Sequence, residues 1–149
     1  MYSKIERVKL TLDLSVQYTA EPPVLEIKNN NQVVFHKTPI GNSQVITLDL
    51  FLPNDRAEAG VFEIVRSNFD GVNQQVLTLD KLSLDGINLN KICHHAKYHP
   101  IYPEPWITEQ RTAGTHWPEY LTGVTSWGWN GTWTLEYRTP IYTWLLKNV

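Results

Sequence analysis

Val8-Lys9-Leu10-Thr11-Leu12-Asp13-Leu14-Ser15-Val16 decides the fold. Apolar and polar side chains alternate without a break, so every second residue faces the same way. A period of two is a strand with one dry face and one wet face. The same alternation returns in Ile46-Thr47-Leu48-Asp49-Leu50, ended by Pro53-Asn54-Asp55, and residues 56–60 form a polar link. Next come Phe62, Ile64 and Arg66 set against Val61, Glu63 and Val65. Leu25 and Ile27, the turn Asn29-Asn30-Asn31, and Val33 to His36 predict a hairpin over 24–37. Val76 to Leu84 is strand, Asp85-Gly86 is a tight turn, and Ile87 to Ile92 continues as strand. Before residue 140 no stretch keeps a 3.6-residue period over three turns. Strands separated by turns at short, regular spacing predict an all-β protein, an antiparallel β-sandwich of jelly-roll-like form.

The chain has 149 residues, enough to bury a real core as one β-sandwich domain over 1–149. A hydrophobic fraction of 42% with 19% charged residues is that of a globular protein. Net charge is −2 and no run of Lys or Arg occurs, which argues against a nucleic-acid partner and against a membrane-surface helix. The start of the chain lacks the apolar core of a secretory signal, and no stretch is long and apolar enough to span a bilayer, so the expected place of synthesis is a cytoplasm. The single cysteine, Cys93, rules out an internal disulfide and a Cys-x-x-Cys zinc site.

The strand pattern stops at Cys93. Residues 93–126 carry Pro100, Pro103, Pro105 and Pro118 and read as a long aromatic, proline-rich loop inserted before the last hairpin. Within it Glu104 to Arg111, with Pro105 in the first turn, predicts a two-turn helix. Asn130-Gly131 between Trp127-Gly128-Trp129 and Thr132-Trp133-Thr134 predicts a tight hairpin, with Trp129 and Trp133 stacked across it. Ile141 to Val149 is compatible with a short helix, a last strand or an arm to a neighbouring subunit.

Catalytic signatures are weak. Cys93 and His94 are sequence neighbours, whereas catalytic Cys/His pairs meet through the fold. No Gly-x-Ser-x-Gly and no Gly-rich phosphate loop is present. His94, His95 and His99 raise the question of metal binding, but Pro100 opposes the helix that would align His95 with His99. The expectation is a protein that is not an enzyme and uses no cofactor or metal. Aromatic residues carry the stronger signal. All six tryptophans lie at or after Trp106, and all four phenylalanines at or before Phe69. Tyr98, Tyr102, Trp106, Trp117, Tyr120, Trp127 and Trp129 are the candidate binding residues. Flat amphipathic rings pack cores, anchor protein interfaces and stack on the apolar faces of sugars, and all three uses stay open here.

Residues 24–92, with Ile46-Thr47-Leu48-Asp49-Leu50, Phe62-Glu63-Ile64 and Leu84-Asp85-Gly86-Ile87, resemble β-sandwich carbohydrate-binding modules of the small calcium-dependent, xylan-binding kind. That resemblance implies a fold. It also implies loop aspartates that hold calcium, yet no Asp follows Asp85. Residues 96–106 and 128–133 resemble accessory structural proteins of tailed bacteriophages. This second resemblance implies a virion component, such as a decoration, neck, tail or fibre-associated protein, assembled in a host cytoplasm and docking on other subunits through its aromatic loop. The alternative expectation is a carbohydrate-binding module that recognises a polysaccharide by aromatic stacking.

Overall fold

The computed structural model describes residues 4–149. The alternating stretch becomes β1 (Ile5–Tyr18), and Val8, Leu10, Leu12, Leu14 and Val16 all point into the core. β1 sits inside the first sheet between β4 (Ser43–Pro53) and β6 (Gln75–Leu84), antiparallel to both. Beyond β6 lie the short β7 (Ile87–Asn88) and β10 (Ser126–Trp127). The second sheet runs β3 (Gln32–Pro39), β2 (Val24–Asn29), β5 (Glu58–Ser67), β11 (Gly131–Thr139), β8 (Lys97–Pro100) and β9 (Leu121–Thr122). The inner faces of both sheets share one hydrophobic cluster, in which Tyr98, Trp127 and Trp133 are among the largest buried side chains. The expected antiparallel sandwich is the observed fold.

Local chemistry explains the turns. Asn30 and Asn31 take φ of 50° and 65°, the left-handed pair that closes a two-residue hairpin between β2 and β3. Asp85 and Gly86 do the same at φ of 47° and 83° between β6 and β7. β6 carries one extra residue against β1, where Leu14 pairs Leu79 but Asp13 pairs Lys81. Asp80 and Lys81 are both exposed, and the bulge lets Leu82 and Leu84 face the core again.

Three expectations change. Asn130-Gly131 is not a hairpin turn: β10 pairs with β6 in the first sheet, and β11 pairs with β5 and β8 in the second. Residues 128–130 therefore cross from one sheet to the other, and Trp133 enters the core while Trp129 stays near the surface. The strand expected over Ile87 to Ile92 pairs only at Ile87–Asn88 and is followed by a 3₁₀ turn at Ile92–His95. Residues 93–126 are not loop throughout, since they contribute β8, β9 and β10 as well as α1 (Trp106–Thr112). The last segment is a helix, α2 (Ile141–Asn148), which buries Ile141 and Leu145 one turn apart.

Candidate functional site

Four connections gather at one end of the sandwich, and hydrogen bonds tie them together. The Thr19 amide donates to the Gln74 carbonyl at 3.1 Å, and the Asn68 side chain donates to the Pro22 carbonyl at 2.9 Å. Asn130 accepts from the Phe69 amide at 2.8 Å and donates back to the Phe69 carbonyl at 3.2 Å. Its own carbonyl accepts from the Ile101 amide at 2.6 Å. The crossing at Asn130 thus pins both the 68–74 connection and the start of the 101–120 connection.

On this frame Tyr102, Trp106, Trp117 and Trp129 form a single aromatic cluster. Ring centroids lie 5.0 Å apart for Trp106 and Trp117, 5.6 Å for Trp106 and Trp129, and 5.2 Å for Tyr102 and Trp129. These spacings are those of favourable edge and offset contacts. Interplanar angles run from 32° to 79°, so the rings brace one another and do not form one flat plate. α1 holds Trp106 at its first residue while Ile107 anchors the helix in the interior. Trp117 is the most open of the four, 40% exposed, and its indole N–H donates to Gln110 Oε1 at 3.3 Å. The Tyr102 hydroxyl donates to the Pro118 carbonyl and closes the long connection on itself.

The other three candidate residues lie elsewhere. Tyr98 and Trp127 stack flat against each other at 5.1 Å and 4°, both buried, with no surface to offer a partner. Their place follows from strand parity on β8 and β10, which turns both rings inward. Tyr98 still acts on the cluster, because its hydroxyl donates to the Trp129 carbonyl. Burial pushes that phenol far above its ordinary range. Tyr120 is exposed but sits apart, 5.7 Å from the His99 ring and 4.7 Å from Lys97 Nζ.

Near the end of β5, just before the 68–74 connection, lies a buried cation on the face that Phe62 and Ile64 share. Arg66 is 1% exposed, and its Nη2 donates to the carbonyl and side-chain oxygens of Gln75. Its Nε and Nη1 have no hydrogen-bond partner among the described residues, and burial lowers its pKa. Gln75 in turn donates to the Glu21 carbonyl at 2.8 Å and the Asn68 carbonyl at 3.1 Å. One buried pair therefore ties two of the connections to the core.

Metal and nucleophile chemistry find little footing. Among the described residues no three of His, Cys, Asp or Glu converge as metal ligands. His95 ends a 3₁₀ turn and His99 lies on β8, so their spacing falls on no helix face. Asp70 stands at the clustered end, but its carboxylate accepts from the Val72 and Asn73 amides and the Asn73 side chain, which lowers its pKa. The calcium implied by the first resemblance does not fit these residues. Cys93 is buried, and burial pushes its thiol up to about 11, so it is not a thiolate at neutral pH. No helix among the described residues is long and apolar enough to cross a membrane.

No protein-family model matches the chain, and no curated protein matches it. A solved structure described as a vCBM60 in complex with galactobiose is similar to it, with a TM-score of 0.50 over 85% of this chain and 96% of that one. The two share a fold. Sequence identity is 8%, so the likeness is one of fold alone. The resemblance to phage structural proteins gains no support from these comparisons.

Proposed function

We propose that the protein is a carbohydrate-binding module that takes a polysaccharide at the aromatic end of the sandwich. The observation that carries this proposal is the half-open cluster of Tyr102, Trp106, Trp117 and Trp129, set on loops that are cross-linked before any ligand arrives. The shared fold with a module that holds galactobiose supports it. A pyranose has an apolar C–H face that stacks on indole, and Trp117 offers the accessible ring. Asn130 and Gln75 fix the loops in advance, so less conformational entropy is lost on binding. The rings sit at steep angles to one another, and such a cluster grips one or two sugar units in a notch in preference to a flat crystalline surface.

Isothermal titration calorimetry of the whole chain against galactobiose and a panel of soluble polysaccharides tests the proposal. Binding to at least one glycan is expected, and Trp117→Ala should weaken it by about 2 kcal/mol, roughly thirtyfold. Heat of binding that is unaltered in Trp117→Ala would place the sugar elsewhere.

A further inference from the structure

We propose that a second ligand site, away from the aromatic end, lies on the outer face of the second sheet and takes a carboxylated sugar unit. A cleft of about 370 Å³ opens there between β8, β11 and α2. Its volume falls in the range of small-molecule sites. Lys97 and His99 of β8 and Thr134 and Glu136 of β11 form the floor, Trp144 of α2 forms a wall, and His95 closes one end.

Strand register sets the charge pattern. Lys97 pairs with Thr134 and His99 with Thr132, so both basic side chains share one face of the sheet. Glu136 lies two residues further along β11, roughly 7 Å beyond Thr134. Lys97 stands in the middle of the floor, with His99 two residues away on one side and Glu136 its diagonal neighbour on the other, and no ion pair joins Lys97 to Glu136. Lys97 has no carboxylate within ion-pair distance among the described residues, and its ammonium rests against the Tyr120 ring. The Trp144 indole is half-buried and braced edge-on by Tyr137 at 6.4 Å and 67°.

A ligand that uses every part of this cleft needs three features. It needs an anion for Lys97, an apolar face for Trp144, and hydroxyls for Thr134 and Glu136. A uronic acid unit has all three. A neutral sugar offers the ammonium no carboxylate, and inorganic phosphate leaves the indole wall bare. This inference does not rest on the aromatic end binding anything.

The test is calorimetry of the whole chain at low salt with oligogalacturonate, galactobiose and inorganic phosphate as probes. Oligogalacturonate is expected to bind, and Lys97→Met to weaken it about tenfold, the loss of one charge-assisted hydrogen bond. Lys97 is exposed, so a thermal melt matching the unsubstituted protein separates this loss from misfolding. Saturating galactobiose should not displace the acidic sugar, which distinguishes this cleft from the aromatic end. The inference is overturned by any of four results: no binding of oligogalacturonate, equal binding of phosphate, displacement by galactobiose, or indifference to Lys97→Met.

Discussion

Gln75 ties two connections at the aromatic end to the core by hydrogen bonds alone. It accepts from the buried Arg66 guanidinium and donates to two loop carbonyls. Truncation to Ala keeps the main-chain acceptor and removes the side-chain one, so the buried cation keeps its desolvation cost, gives up part of the compensation, and both loop carbonyls lose their donor. Gln75→Ala should therefore destabilise the protein by about 3 kcal/mol, measured by urea unfolding. A loss under about 1 kcal/mol would show that Arg66 is satisfied without the side chain. Half of this pair was legible beforehand. Arg66 shares the parity of Phe62 and Ile64, so its inward direction follows from strand period alone. Gln75 stands on the opposite sheet, and no local pattern states which residues meet across a sandwich.

At the scale of elements, the segment around Asn130-Gly131 shows where a turn rule ends. An Asn-Gly pair closes a hairpin when both flanks belong to one ladder. Here β10 and β11 belong to different sheets, and Gly131 is required for a different reason. A Cβ at that position would lie 2.5 Å from the His99 carbonyl oxygen and 2.8 Å from the Tyr98 ring. The glycine lets β8 close onto β11, and with it Tyr98 reaches the Trp129 carbonyl. Gly131→Ala should cost about 3 kcal/mol by overpacking against backbone, and should loosen the near-ultraviolet circular dichroism of the Tyr98–Trp127 stack. An unfolding midpoint and aromatic spectrum identical to those of the parent would contradict this close approach. β8 itself was hidden because four residues, two of them His99 and Pro100, carry too little alternation to stand out from loop. α1 was visible in the sequence because Pro105 marks a helix start, although it stands just before the first helical residue and not inside the first turn.

For the whole molecule, the sandwich was legible because its long strands repeat one unbroken period, from Val8 to Val16 and from Ile46 to Leu52. Each inward residue supports the same two-sheet arrangement, so local and global preferences agree. The division of the aromatics was not legible. Tyr98 and Trp127 fall inward by parity on short strands, whereas Tyr102, Trp106, Trp117 and Trp129 are brought together by connections whose path depends on Asn130. The outcome is a sandwich with one braced aromatic end and a separate polar cleft beside α2. The most direct test of glycan binding at the aromatic end follows the indole N–H resonances of all six tryptophans during titration with galactobiose and with soluble polysaccharides. Shifts should appear at Trp117, Trp106 and Trp129, while the buried Trp127 and Trp133 stay in place. No indole shift at Trp117, Trp106 or Trp129 with any neutral glycan would contradict the account.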